Sequence, residues 1–246
     1  MIRVTIWNEF RHEKTNEKAK ALYPNGIHGF IKEFLDESGE FEVTLASLDD
    51  ENQGLPDEVL NNTDVLVWWG HKYHHEVNDA LVAKIKSRVY TGDMGFVALH
   101  SAHRSKPFTS IIGTNGNLGW GREQKEIIWN MMPSHPIAEG IPDHFILESE
   151  EMYSEPFYIP CPDALVFGSW FEDGHIFRSG ACFIRGAGKV FYFQPGHETR
   201  AAFYNPYVQR IIANGIKWAC PQPKTFVIDK NCIHFTTPVI NEFSDK

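Results

Sequence analysis

Eight of the 12 histidines, His12, His28, His71, His74, His75, His100, His103 and His197, sit in polar segments that follow short apolar runs. Imidazole exchanges protons near neutral pH and is a favoured ligand of zinc, so a convergence of these rings would give acid–base or metal chemistry. Taken singly, His12, His74 or His75 is an ordinary polar loop residue. The segment Leu99-His100-Ser101-Ala102-His103 is the most telling, because a side chain at the tip of a strand-to-helix turn is held up into a pocket beside the first N–H groups of the helix. That tip is His100, and His103, three residues on, shares its side. Ser101 lacks the flanking glycines of G-x-S-x-G, so a serine hydrolase ranks last. The run Glu148-Ser149-Glu150-Glu151-Met152-Tyr153 is either a solvated face or a pocket wall whose crowded carboxylates have raised pKa values. Arg178 and Arg185 are surface cations or anchors for a hydroxyl-rich ligand, Arg122 and Glu126 suggest a contact on a helix surface, and Trp68 and Trp69 a buried sheet face.

These residues need a scaffold. Arg3–Trp7 predicts a first strand, followed by a long polar loop. Ile27, Phe30, Ile31, Phe34 and Leu35 predict a helix that Gly39 stops. Strands follow at 42–46, at 63–69, where the run is apolar throughout as in a parallel sheet buried on both faces, and at 95–99, with a helix over 77–89 between the last two. Strand and helix in alternation predict an α/β fold with an open parallel sheet, whose ligands bind beyond the carboxyl ends of the strands. Residues 113–188 read as a β-rich insertion with strand-like pieces at 144–148, 164–170, 175–177 and 181–184. A core strand returns at 188–193 and a last helix spans 208–219. The domain is expected to cover residues 1–221, and residues 222–246 form a C-terminal arm. Glycines at 116, 119 and 121 suggest a turn-rich loop rather than a phosphate cradle.

Composition narrows the classes. A chain of 246 residues with 42% hydrophobic residues supports one sizeable core. A net charge of −9 argues against nucleic acid. No apolar window is long enough for a spanning helix, the N-terminal strand leaves no room for a secretory signal, and mean hydropathy is −0.33, so the expectation is a cytoplasmic protein with no membrane association. Cys161, Cys182, Cys220 and Cys232 are too scattered for a zinc or redox motif and are expected to be reduced and mostly buried.

The blocks Trp7-Asn8-Glu9-x-x-His12-Glu13, Tyr23-Pro24-x-Gly26-x-His28, Trp68-Trp69-Gly70-His71, Leu99-His100-Ser101-x-His103, His135-Pro136-Ile137-x-x-Gly140-Ile141, Glu151-Met152-Tyr153-x-Glu155-Pro156-Phe157, Ser169-Trp170-Phe171, Phe177-Arg178-Ser179-Gly180 and Phe191-Tyr192-Phe193-x-Pro195-Gly196-His197-Glu198 together resemble the trehalose-utilisation ThuA family. The resemblance runs from the first strand to about Pro221. It implies a flavodoxin-like three-layer αβα fold with a mostly parallel central sheet, similar to class I glutamine amidotransferases. Those enzymes carry a cysteine at the elbow and a histidine from a later strand. Here His100 and His197 occupy these places, so the likeness extends to fold and not to glutaminase activity.

What the resemblance further implies is a role in using trehalose or related disaccharides, alongside a partner oxidoreductase that makes keto-sugars. The expected mechanism is histidine- or metal-assisted proton transfer on the sugar, with His100, His197, Glu151 and Tyr153 as catalytic residues. A divalent metal such as zinc is expected on His28, His71 and His103. The competing expectation is a non-catalytic sugar-binding or regulatory protein whose Trp69, Trp120, Tyr153 and Trp170 stack on pyranose faces. The acidic surface and C-terminal arm suit a homo-oligomer.

Overall fold

Trp7 and Trp68, from neighbouring strands, stack with ring centroids 3.8 Å apart inside a nine-stranded sheet. The computed structural model describes residues 1–222; the expected C-terminal arm lies outside the described residues from position 223 onward, as does Cys232. The strands are β1 (Ile2–Asn8), β2 (Phe41–Ser47), β3 (Val65–Trp69), β4 (Gly95–Leu99), β5 (Gly119–Asn130), β6 (His144–Ser154), β7 (Ala164–Phe171), β8 (Ile176–Arg185) and β9 (Gly188–Phe193). Their order is β2-β1-β3-β4-β9-β8-β7-β5-β6. The first five are parallel neighbours, and β8, β7, β5 and β6 continue the same sheet by antiparallel pairing.

The helices are α1 (His12–Thr15), α2 (Glu17–Leu22), α3 (Gly26–Asp36), α4 (Asp57–Asn61), α5 (Asp79–Tyr90), α6 (Lys106–Ile112) and α7 (Pro206–Ala219). Because side chains alternate along a strand, β3 sends Val65, Val67 and Trp69 into the core under α3 and α7, and Leu66 and Trp68 into the core under α5 and α6. Every residue of β3 and β4 is buried, which explains their uninterrupted apolar sequences. This is the flavodoxin-like three-layer sandwich. α7 begins where the side chain of Asn205 accepts from the N–H groups of Tyr207 and Val208, with Pro206 in the first turn, a cap that contributes about 1 kcal/mol.

Several sequence expectations need correction. The polar stretch after β1 is not a loop throughout but holds α1 and α2, too short for a hydrophobic period to register. The predicted strands at 175–177 and 181–184 are one strand, β8. β5 escapes the sequence because its solvent face carries Arg122, Glu123 and Lys125. Consequently Arg122 and Glu126 lie on a strand, not a helix, and Glu126 is buried and accepts from the Ser169 hydroxyl. Cys161 is exposed and Cys182 is buried.

Candidate functional site

Parallel strands β1, β3, β4 and β9 end side by side, so the residues just beyond them share one edge of the sheet. Beyond β4 the chain turns at His100, whose φ of +50° is rare for a residue with a Cβ and marks a position held by its surroundings. His100 opens a single 3-10 turn, His100–Arg104, and is fully buried. Its Nδ1–H donates to the carbonyl of Gln194 at the end of β9, 2.9 Å away. That bond aims Nε2 at Glu151, whose Oε2 is 3.1 Å distant, and at the Tyr153 hydroxyl, 3.3 Å distant. The hydroxyl of Tyr153 is also 3.1 Å from that of Ser101.

Glu151 and Tyr153 reach His100 although β6 is at the far end of the strand order. Register shifts between Trp120 and Glu123 and between Gln124 and Glu126 bend the β5–β6 ribbon, and its far end curls over the site. The carboxylate run is therefore divided: Glu148 is solvated, Glu150 fully buried and Glu151 half-buried. Glu150 accepts from the N–H groups of Gly196 and His197, at 3.1 and 3.3 Å, and so fixes the turn that presents His197.

Charge follows from these contacts. Burial works against a proton on His100, yet Glu151, Glu150 and the Gln194 carbonyl outweigh it and raise the imidazole pKa. Burial pushes Glu151 up, but His100 wins and holds the carboxyl below the usual range. The pair therefore favours imidazolium and carboxylate. Burial, reinforced by His100, lowers His197 to about 4, so that ring is neutral. Glu151, Tyr153, Ser101, His71, His103 and Trp120 line a cleft of about 320 Å³. A larger groove of about 670 Å³ beside Lys18, Arg200 and Tyr204 contains none of the histidines and no comparable set of reactive groups.

Of the expected catalytic set, His100, Glu151, Tyr153 and His197 do meet: His100 lies 5.0 Å from Tyr153 and 5.4 Å from His197 between ring centroids. The expected metal trio does not assemble. His28, at the start of α3, has its Nδ1 accepting from Asn8 at 3.1 Å and its ring against Phe10, and burial lowers its pKa to about 4. His103 donates from Nδ1 to the carbonyl of Gly116 at 2.6 Å, and burial lowers it to about 3. Gly116 is needed there, since its φ is +63° and a Cβ would stand 2.0 Å from the His103 carbonyl oxygen. Only His71 of the trio belongs to a group with ligand atoms in mutual reach. Among the described residues those groups are His12, His71 and Glu198, and His100, Glu151 and His197.

Trp120 is 72% exposed at the lip of the cleft, whereas Trp69 is buried and donates its indole N–H to the Gly196 carbonyl. Trp170 is exposed but does not line the cleft. Arg178 is paired with Glu155 and Arg185 with Asp163, outside the cleft. The sequence places Glu9 just after the first strand and Glu150 in the acidic run without giving either a role of its own, and it leaves Gln194 unmarked. A position directly after a predicted parallel strand was the available signal for Gln194, as it was for Glu9, and like-charge crowding was the signal for Glu150.

The family model described as trehalose utilisation, ThuA, matches residues 3–219. Among solved structures, a ThuA-like protein from Parabacteroides merdae is 17% identical, with 92% of this chain and 94% of that one covered and a TM-score of 0.66. A ThuA-like protein from Bacteroides uniformis is 14% identical over 89% and 91%, with a TM-score of 0.65. A cytoplasmic protein from Salmonella typhimurium is 13% identical over 90% and 100%, with a TM-score of 0.62. At these identities the likeness concerns fold. No functionally curated protein matches. No helix among the described residues is long and apolar enough to cross a membrane.

Proposed function

This chain belongs to the ThuA trehalose-utilisation family, and on that premise we propose that it is an enzyme that moves a proton on trehalose or a keto-disaccharide made from it. The observation that carries the proposal is the His100–Glu151 pair, 3.1 Å apart, with the carboxylate opening on the cleft and the imidazole sealed behind it. A carbon next to a ketone carries an acidic hydrogen, and a carboxylate within reach can remove it and return it to the other face or to a neighbouring carbon. His100 keeps Glu151 ionised and correctly turned, and the hydroxyls of Tyr153 and Ser101 offer hydrogen bonds to the developing enolate oxygen. Trp120 supplies a flat apolar face of the kind that sugar rings stack on. Glutaminase chemistry has no support, because the elbow residue is His100 and Cys161, Cys182 and Cys220 do not line the cleft.

A keto-sugar substrate requires an oxidoreductase to make it, so the partner class is a sugar dehydrogenase. The test is solvent deuterium exchange, followed by NMR, into 3-keto-trehalose and, with that dehydrogenase present, into trehalose. The parent should exchange, and Glu151→Gln should slow exchange by about 10²–10⁴-fold while leaving the fold intact. Exchange that is absent in the parent, or undiminished in Glu151→Gln, overturns the proposal.

A further inference from the structure

A second group of donors lies next to the His100–Glu151 pair and takes no part in the proton transfer proposed for it. His12 comes from α1 just after β1, His71 follows β3, and Glu198 follows β9; one donor atom of each lies within 4.8 Å of the others. His71 Nδ1 stands 3.1 Å from both oxygens of Glu198. Ligands about 2.0–2.1 Å from a tetrahedral zinc are about 3.3 Å from one another, so little movement is needed to admit the ion.

Two further features point the same way. Glu198 is 3% exposed, and because the single N–H that His71 can carry at Nδ1 bonds Oε1, its Oε2 is left without a hydrogen bond. Buried polar atoms without partners are costly and call for a missing partner. Glu9, in turn, is built as an outer carboxylate. Its Oε2 accepts from the N–H groups of His71, Lys72 and Tyr73 at 2.7, 3.1 and 3.0 Å, and its Oε1 lies 3.2 Å from His12 Nδ1. A carboxylate behind one imidazole nitrogen orients the other, here Nε2, toward a metal.

We propose that His12, His71 and Glu198 bind a divalent transition-metal ion, zinc being the best match to two imidazoles and a carboxylate. His71 lines the cleft, so an open coordination position would face the substrate space. The neighbouring group is the weaker candidate: His100 is committed at both nitrogens, and none of its three members has a buried atom without a partner.

The experiment is equilibrium dialysis of tag-free, chelator-treated protein against micromolar zinc, with metal measured by mass spectrometry. About one zinc per chain is expected for the parent, His28→Gln, His103→Gln and Glu151→Gln. His71→Ala and Glu198→Gln should each weaken binding at least 100-fold, and Glu9→Gln by about 10–100-fold. Circular dichroism and melting of the metal-free variants establish that they are folded, and near-isosteric Glu198→Gln and Glu9→Gln keep the test decisive if His71→Ala is not. No uptake by the parent, uptake indifferent to Glu198→Gln and Glu9→Gln, or uptake lost in Glu151→Gln would falsify the assignment. Because the readout is metal content, failure here leaves the proton-transfer proposal standing, and the reverse also holds.

Discussion

The two halves of the sheet contribute to the site in different ways. The parallel half, β2-β1-β3-β4-β9, is covered by helices on both faces and delivers imidazoles from loops beyond its strand ends: His12, His71, His100 and His197. The antiparallel half leaves Trp129, Ile146, Trp170 and Ile176 partly in water and contributes Glu150, Glu151 and Tyr153 from within a strand. Rigidity in the first half sets where proton or metal chemistry can occur. Curvature in the second brings a carboxylate and a hydroxyl over it. A site assembled this way is as precise as the bend in β5 and β6.

The difference can be probed by substitution. Trp68→Ala, in the doubly covered half, should cost about 3–5 kcal/mol in urea unfolding, because a fully buried indole stacked on Trp7 leaves a cavity. A loss below about 1 kcal/mol would mean that the parallel half is not the rigid body described. Next in size is acid sensitivity. His28, its pKa lowered by burial to about 4 with Asp50 opposing and Lys14 reinforcing, is neutral when folded and near 6.5 when unfolded. The unfolded chain therefore binds the extra proton between those values. This contribution to stability is complete above about pH 6.5, declines as pH falls, and is gone below about pH 4, a loss of about 3 kcal/mol. His28→Gln should flatten that part of the pH–stability curve; an unchanged slope would refute a buried, neutral ring.

Smaller again is Glu126→Gln in the antiparallel half. Burial, with Glu150 nearby and Ser169 only partly offsetting, raises this carboxyl well above 4.5. A folded pKa above the unfolded one means that the acid stabilises below the unfolded value and that this is lost as pH rises. Glu126→Gln should thus equal or exceed the parent in stability at pH 7, by about 1 kcal/mol, and lose its advantage toward pH 4. Last, Trp170→Ala should change stability by less than about 0.5 kcal/mol, since half of that side chain already faces water; a larger cost would show that the exposed face is covered in solution.

The parallel half was legible because its strands are short, apolar throughout and punctuated by amphipathic helices: the runs at Leu66–Trp69 and Gly95–Leu99 admit little else. β5 was not, because Arg122, Glu123 and Lys125 obscure the alternation of a strand with one wet face and bulges. The carboxylate run was ambiguous for a related reason. Period-two alternation would put Glu148 and Glu150 on one face; the bulge between the Gln124–Glu150 and Glu126–Leu147 pairs leaves Glu148 in water and Glu150 buried, and the curl of the ribbon brings Glu151 to His100.

Sequence by itself determined the chemical inventory and its address: imidazoles after parallel strands, no thiol at the elbow, and a run of acids awaiting a surface. Tertiary structure decided the pairings. His28 and His103 looked equal to His71 in the chain, yet Asn8 and the Gly116 carbonyl claim them, while His12 and Glu198, ordinary loop residues by type, converge on His71. Spacing along a chain fixes which edge of a sheet a loop residue reaches. Which nitrogen faces which oxygen depends on packing between loops some 60 to 130 positions apart, and no local pattern encodes that.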